Sequence, residues 1–320
     1  MNYKFCLAIA IGIVMTSGAA AGNVPTPCVN VFSENKGWYQ PDQLPSSRAL
    51  LKEAAGEGVK AVRLNLFPFE TMSDPAQSRM WRSALRDLVS YGNGIGLHVI
   101  IDLHESNMCS REAEECVAEL RRFWQQTASD FSASRYDVSY EILNEPKGAI
   151  ASRWSALFPQ IIKIIRASDR SHSIIVGGKG YSTIWDLPRS DPSLKNVIYT
   201  FHYYNPMGFT HQGADWLKAY PALAAKRNVG WGSYADRQKL RNDLRSLDGW
   251  LLRNRAELFM GEFGVFKRAP APDRELWTRE LISAVDARNV SWCIFDYEGG
   301  FGVRGNVKRI TAPQPHYTAD

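Results

Sequence analysis

Two glutamates that follow short apolar runs are the residues with the clearest capacity for chemistry. Glu145 lies in the stretch EILNEP (141–146), and Glu262 lies in ELFMGEF (257–263). A buried carboxylate is costly unless it is paired with a cation or used in a reaction. Two carboxylates that converge on one cleft are typical of glycoside hydrolysis, in which one protonates the leaving oxygen and the other attacks the anomeric carbon or activates a water molecule.

Further polar residues at or near the ends of apolar runs are of types that could tune such a pair: Arg63, His104, Asn144, His202 and Tyr204. Positive charges and hydrogen-bond donors favour the ionised form of a neighbouring carboxylate. Glu141 shares the strand parity of Glu145 but lies deeper, so we expect it to pair with a buried cation that the sequence does not identify.

Histidines offer a competing chemistry, a metal-dependent hydrolase that uses His104, His202 and His211. No CxxC or HxxxH spacing occurs in the chain, and such spacings are typical of zinc ligands. The residues therefore favour the pair of carboxylates over a metal site.

The elements that must position these residues are eight short runs rich in Val, Ile and Leu, which alternate with amphipathic stretches. The runs are 28–32, 60–66, 97–103, 138–143, 173–178, 196–203, 257–263 and 291–297. Their continuous apolar character is typical of parallel strands covered on both faces. Between them, apolar residues recur at helical spacing, and Ser110 and Asp236 are expected to cap two of the helices.

This alternation over roughly 300 residues predicts an α/β protein with a single (β/α)8 barrel, a TIM barrel, spanning 23–320. An open doubly wound sheet is the alternative, although no GxGxxG motif follows the first run. In a closed barrel the carboxyl ends of the strands meet at one face, where the active sites of such barrels lie. The polar residues named above would therefore converge there.

The motifs around these residues resemble those of glycoside hydrolase family 5, the cellulase-type retaining hydrolases. The matching stretches, between about residues 28 and 303, are RLNLF, VIIDLH, EILNEP, FHYY, FTHQGADW and FMGEFGV. The resemblance implies that Glu145 is the general acid/base and Glu262 the nucleophile. It also implies that Arg63 and Tyr204 orient Glu262, and that no metal or cofactor is needed.

The same resemblance implies contacts with the sugar. Asn144 would hold the sugar 2-hydroxyl, and His104 and His202 would line the subsite next to the cleaved bond. Phe295 stands where the family pattern usually has a tryptophan beneath the sugar, so stacking area and an N–H donor are lost. Trp292, three residues earlier, is interpreted as wall packing, or as the platform if the register differs.

The segment 205–236 is long for a loop, and long loops in compact domains are usually functional or mobile. His211 and Trp216, within FTHQGADW, are expected to contact the substrate, since aromatic faces stack on sugar rings. The alternative is that the aromatic side chains of this segment pin it to the barrel. Tyr181 and Trp185 could border the cleft in the same way.

Residues 1–22 have the pattern of a secretory signal peptide, with a lysine, a short apolar run and small residues before the cleavage point. Four cysteines would remain in the exported chain, enough for two disulfides. Cys109 and Cys116 are expected to pair across a loop-to-helix junction. Cys28 and Cys293 could pair only if the first and last strands are neighbours, and the alternative is two buried free thiols.

The formal net charge is +5, and the positive residues are scattered among acids rather than clustered. This distribution does not favour nucleic-acid binding, and no later segment resembles a membrane span. The signal pattern predicts a secreted or periplasmic protein, which we expect to be monomeric, and the family resemblance implies a retaining endo-β-glycanase with β-1,4-glucan as the leading substrate. The alternatives are mannan, a bacterial exopolysaccharide, or a carbohydrate-binding barrel without catalysis.

Overall fold

The computed structural model describes residues 23–105 and 107–312, so the predicted signal peptide lies outside the described residues. Eight parallel strands close into one barrel in chain order. They are β1 (Cys28–Val31), β2 (Ala61–Leu66), β3 (His98–Leu103), β4 (Val138–Glu141), β5 (Ser173–Gly177), β6 (Val197–His202), β7 (Leu258–Glu262) and β8 (Ser291–Ile294). Each predicted run contains one strand, which confirms the (β/α)8 barrel. The open-sheet alternative is wrong, because β1 pairs with β8.

Helices connect most of the strands: α1 (Leu44–Gly56), α2 (Phe69–Met72), α3 (Pro75–Gly94), α4 (Asn107–Arg111), α5 (Ala113–Phe131), a 3₁₀ turn (Gly148–Ile150), α6 (Trp154–Ser168), α7 (Met207–Thr210), α8 (Pro221–Ala224), α9 (Tyr234–Asn254), α10 (Ala271–Asp286) and α11 (Val307–Thr311). The long helices each bury one apolar stripe; in α6 it includes Leu157, Ile161 and Ile165. The connection from β5 to β6, residues 178–196, contains no helix.

Both predicted helix caps are wrong. Ser110 lies inside α4, and its hydroxyl donates to the carbonyl of Asn107. Ser233 caps α9, because its side chain accepts from the backbone N–H of Asp236 while the Asp236 carboxylate accepts from the Ser233 N–H. This reciprocal arrangement is a capping box, so Asp236 is the third helical residue rather than the cap.

The barrel interior is apolar toward the amino ends of the strands and polar toward their carboxyl ends. The apolar layer consists of Val24, Cys28, Ala61, Ile100, Ile175, Ile198, Phe259 and Cys293. Side chains two positions further along a strand point to the same side. They include Asn30, Arg63, Asp102 and Thr200, all without solvent exposure.

Two disulfides join the cysteines as the sequence predicts. Cys28 and Cys293 are register partners on β1 and β8 and form a disulfide inside the barrel, so the alternative of two free thiols is wrong. Cys109 and Cys116 join α4 to α5. Within the described part of the chain, no helix is both long and apolar enough to cross a membrane.

Candidate active site

The polar side chains singled out in the sequence meet at the carboxyl end of the barrel. His202 and Glu262 are the last residues of β6 and β7, and they are register partners. Asn144 and Glu145 follow β4, while Arg63 projects from within β2. Pairing between neighbouring strands therefore brings together residues that are far apart in the sequence.

Glu262 is nearly buried and is held as a carboxylate. It accepts hydrogen bonds from Arg63 Nη1 at 2.7 Å and from the Tyr204 hydroxyl at 3.0 Å. His202 Nδ1 lies 3.6 Å from its Oε2, and His104 Nε2 lies 4.0 Å from its Oε1. Burial alone would raise the pKa of Glu262, but the neighbouring cationic groups, His202 first and then Arg63, lower it to about 2.

Glu145 is more accessible, with 16% of its side chain exposed against 5% for Glu262. Its Oε1 lies 3.1 Å from His202 Nδ1, and its Oε2 accepts a hydrogen bond from Lys147 Nζ at 3.2 Å. One oxygen of each glutamate and a ring nitrogen of His202 lie within 4.8 Å of one another. The two carboxylates thus share one space but differ in access to solvent.

Arg63 links the glutamates to the floor of the site. Its Nε and Nη2 donate to the two oxygens of Glu141 at 2.7 and 2.9 Å, which confirms the predicted pairing of Glu141 with a buried cation. It also donates to the side-chain oxygens of Asn30 at 2.6 Å and Asn144 at 2.7 Å. Burial raises the pKa of Glu141, and the charge of Arg63 opposes that rise.

Three buried polar residues below the glutamates were missed by the sequence reasoning: Asn30, Asn65 and Asp102. Asn65 Nδ2 donates to Asp102 Oδ2 and to Asn30 Oδ1, both at 3.0 Å. Asp102 Oδ2 lies 2.6 Å from His104 Nδ1 and 3.2 Å from Arg63 Nη2. Strand parity could have identified Asn65 and Asp102. Asn65 follows Arg63 by two positions and Asp102 precedes His104 by two, so each points to the same side of its strand as a predicted site residue.

His104 and Asn144 are oriented by this network. Since His104 Nδ1 is bound to Asp102, its Nε2 faces Asn144 Nδ2 at 3.2 Å. The Asn144 side-chain oxygen is occupied by Arg63. His104 Nε2 therefore accepts one hydrogen of the Asn144 amide, and the second hydrogen of that amide remains for a ligand.

An aromatic wall extends from the site to the surface; its members are Tyr204, His211, Trp216, Phe266, Phe295 and Phe301. The ring of Phe295 lies 6.4 Å from that of Tyr204. Trp216 is 48% exposed and packs edge-on against Phe266. Trp292 is buried and donates to Asp286, as expected for wall packing.

His211 lies in this wall as a neutral imidazole. Burial lowers its pKa to about 4. The Thr210 hydroxyl donates its only hydrogen to the carbonyl of Tyr204, so at 2.9 Å it accepts from His211 Nδ1. The remaining nitrogen, Nε2, is therefore an acceptor.

Some aromatic residues of the long segment 205–236 pack against the barrel, and others are exposed to solvent. Phe209 and Trp231 are buried against each other and pin the segment, with ring centroids 6.1 Å apart. Trp216, in contrast, is half-exposed. Tyr181 and Trp185 are also exposed, and Lys147 Nζ lies 4.6 Å from the Tyr181 ring on the Glu145 side of the site.

Among the described residues, His104, His202 and His211 do not come close enough together to hold a metal ion. The group that is close enough consists of Glu145, His202 and Glu262. Arg63 already places a positive charge 2.7 Å from Glu262. That carboxylate is therefore already paired with a cation supplied by the chain itself.

Two glutamates from different strands lie at the mouth of this parallel barrel. Glu262 is held by hydrogen bonds, and Glu145 is accessible to solvent. This arrangement is that of a glycosidase active site. Residues 19–300 match the family model described as cellulase (glycosyl hydrolase family 5). The chain belongs to this family.

Individual relatives agree with the assignment. Endoglucanase C of Acetivibrio thermocellus is 26% identical over 200 residues, and the match covers 55% of this chain and 58% of that protein. This chain thus spans little more than half the length of that curated relative. The solved structure of the clostridial cellulose synthase subunit Z from Clostridioides difficile superposes with a TM-score of 0.77 at 25% identity, covering 88% of this chain and 94% of that one.

Thermotoga maritima Cel5A is a further similar structure, solved with two sugars. Its complex with cellobiose gives a TM-score of 0.75 at 27% identity, with 81% of this chain and 84% of that chain covered. Its complex with mannotriose gives a TM-score of 0.74 at 26% identity, with 82% and 86% covered.

Proposed function

We propose that this protein is an exported endo-β-1,4-glucanase that cleaves its substrate with retention, by double displacement. The observation that carries the proposed retention is the spacing of the two glutamates, since one oxygen of each lies within 4.8 Å of one oxygen of the other. In retaining enzymes the two carboxyl groups are about 5–5.5 Å apart, whereas inverting enzymes keep them further apart to admit a water molecule.

In the first displacement, the Glu262 carboxylate attacks the anomeric carbon while Glu145 gives its proton to the glycosidic oxygen, and the bond between that carbon and oxygen breaks. In the second, Glu145 takes a proton from water, whose oxygen attacks the same carbon and releases Glu262. The low pKa of Glu262 suits the nucleophile, because it must be ionised. Glu145 suits the acid/base, because it is the more accessible.

The residues proposed to contact the sugar are chosen by their positions around the two glutamates. Asn144 Nδ2 keeps one hydrogen for a sugar hydroxyl, and His104, whose Nε2 lies 4.0 Å from Glu262, would line the same subsite. Phe295 would lie beneath the sugar at the cleavage point, and Trp216 offers an exposed ring further along the wall. His211 would accept a hydrogen bond from a hydroxyl through Nε2.

The glucan assignment is supported by relatives named endoglucanases and by the cellobiose complex of the similar Cel5A. The mannotriose complex of the same enzyme keeps mannan as an alternative substrate. A second candidate is cleavage of an exopolysaccharide made by the producing cell. It is favoured by the nearly full-length similarity to a cellulose synthase subunit.

Export is proposed from the signal pattern in residues 1–22. It is supported by the two disulfides, since disulfides persist in oxidising compartments. A monomer suffices for the proposed reaction, because every group assigned to it comes from one chain.

The test is hydrolysis by the mature chain of a panel that contains β-glucans, mannans and bacterial exopolysaccharides. We expect release of reducing ends from β-1,4-glucan, and loss of that release in Glu262→Gln with the fold intact. Glu257→Gln is the matched control, since Glu257 precedes the same strand at the opposite end of the barrel. Binding of the panel without release by the wild type would favour the non-catalytic carbohydrate-binding barrel.

A further inference from the structure

Two buried polar atoms on β6, beneath the proposed catalytic pair, have no hydrogen-bond partner among the described residues. They are Oγ1 of Thr200 and Nε2 of His202, which belong to side chains 0% and 4% exposed. Both residues lie on β6, two positions apart, so their side chains point into the barrel on the same side of the strand. Buried polar groups in folded proteins nearly always have a partner, often an ordered water.

The two atoms converge over the backbone of Gly261 on β7. A Cβ atom built on Gly261 would lie 2.8 Å from Thr200 Oγ1 and 3.5 Å from His202 Nε2. On the other side, a Cβ on Gly177 of β5 would lie 3.4 Å from Thr200 Cγ2. The methyl group of Thr200 therefore faces β5, and its hydroxyl faces the space that Gly261 leaves without a side chain.

We propose that this space holds one buried water molecule that bridges Thr200 Oγ1 and His202 Nε2, and that Thr200 is thereby a positioning residue for His202. A buried water typically makes between two and four hydrogen bonds to polar groups that would otherwise be unsatisfied. Thr200 Oγ1 and His202 Nε2 supply two such partners, and neither atom has another partner among the described residues.

The consequence for the reaction rests on the proposed function. His202 Nδ1 faces both glutamates, at 3.1 Å from Glu145 and 3.6 Å from Glu262. Glu145 must lose and regain a proton in each catalytic cycle, so the charge beside His202 changes twice. A water molecule can both donate and accept, which satisfies Nε2 whether the imidazole is neutral or protonated. His202 can therefore gain or lose a proton as the charge of Glu145 changes, and its buried Nε2 keeps a hydrogen-bond partner in both states.

The charged groups that face His202 come from β2, β4, the segment after β4, and β7. Glu262 on β7 and Glu145 after β4 favour its protonated form, as does Glu141 on β4, while Arg63 on β2 opposes it. Burial lowers the pKa of His202, but the carboxylates outweigh this effect and raise it. A hydrogen bond made by the charged imidazolium is stronger than one made by the neutral ring, so loss of the water that pairs Nε2 should disfavour the protonated form and lower this pKa.

The matched variants are Thr200→Val, which keeps the shape and removes the hydroxyl, and Thr200→Ser, which keeps the hydroxyl. The titration of the His202 ring nitrogens is followed by NMR in both variants and in the wild type. We expect the midpoint to fall in Thr200→Val and to stay near the wild-type value in Thr200→Ser. Equal midpoints in all three proteins would overturn the proposal.

A high-resolution crystal structure of the wild type decides the question independently, and decides it alone if Thr200→Val does not fold. An ordered water within hydrogen-bonding distance of Thr200 Oγ1 and His202 Nε2 would support the proposal, and its absence would reject it. Neither measurement requires hydrolysis, so an inactive protein would refute the proposed function while leaving this test intact.

Discussion

Replacement of Arg63 by methionine probes the charge balance on which the site depends. The guanidinium group is completely buried and lies within 3.2 Å of Glu141, Glu262 and Asp102. Methionine occupies a similar volume without charge, so the change leaves three buried carboxyl groups without their shared cation. Removal of one partner from a buried ion pair is far more costly than loss of an exposed pair.

The expected loss in the free energy of unfolding is about 3–5 kcal/mol, the range for breaking a buried pair, and we expect the upper end because three carboxylates share Arg63. Natural domains have total stabilities of about 5–15 kcal/mol, so the variant would be marginally folded. Arg63→Lys keeps the charge but loses the fork of donors to Glu141. We expect it to lose about 1.5–3 kcal/mol, the value of a hydrogen bond to a charged group.

Denaturant unfolding at several pH values measures both the size and the sign of the effect. Burial already raises the pKa of Glu141 and only Arg63 opposes that rise strongly, so without Arg63 this carboxylate destabilises the fold at high pH and ceases to do so once it is protonated at low pH. The deficit of Arg63→Met should therefore shrink as the pH falls. Arg48→Met is the exposed control, since it breaks the surface pair with Asp87 and should cost less than about 1 kcal/mol. A deficit in Arg63→Met that is small, or independent of pH, would refute the reasoning.

Further predictions concern the disulfides and Tyr204. The Cys28–Cys293 bridge closes a separation of 265 residues and Cys109–Cys116 closes one of 7. Loop-closure entropy then predicts that replacement of both cysteines by alanine lowers the free energy of unfolding by about 5–6 kcal/mol for the first bridge and by about 2 kcal/mol for the second. Denaturant unfolding measures both losses, and the reverse order would contradict the prediction. Tyr204→Phe removes a hydrogen bond that helps to keep the pKa of the candidate nucleophile low. The acid limb of the kcat/KM profile should therefore move to higher pH, and an unmoved limb would show that the hydroxyl does not stabilise the carboxylate.

The barrel and its carboxylates could be predicted because each depends on a local pattern. Continuous apolar runs mark buried parallel strands, and a polar residue that ends such a run lies at the mouth of a closed barrel. Glu145 and Glu262 follow from this rule alone. A closed barrel makes β1 and β8 neighbours, which makes the pairing of Cys28 with Cys293 possible, and the structure contains that disulfide.

The floor of the site could not be predicted in the same way, because its partners face each other across the barrel. Arg63 on β2 contacts Glu141 on β4 and Glu262 on β7, and neither strand is a neighbour of β2 in the sheet. No spacing along the chain encodes such a contact. Asn30 and Asp102 lie within apolar runs, where a polar residue is easily interpreted as part of a strand rather than of a site.

The helix caps failed for a different reason. Ser233 and Asp236 form a reciprocal pair at the start of α9, and either residue type is common at a cap. Only the backbone geometry of the turn determines which of the two precedes the helix.

The stereochemistry of the first product tests most directly the claim that Glu262 attacks the anomeric carbon while Glu145 supplies the proton. The wild-type protein is mixed with a soluble β-1,4-gluco-oligosaccharide, and the anomeric protons of the new reducing ends are followed by NMR before mutarotation. Double displacement predicts that the β-anomer appears first. Initial appearance of the α-anomer would contradict the account, because it would require a water molecule rather than Glu262 as the attacking group.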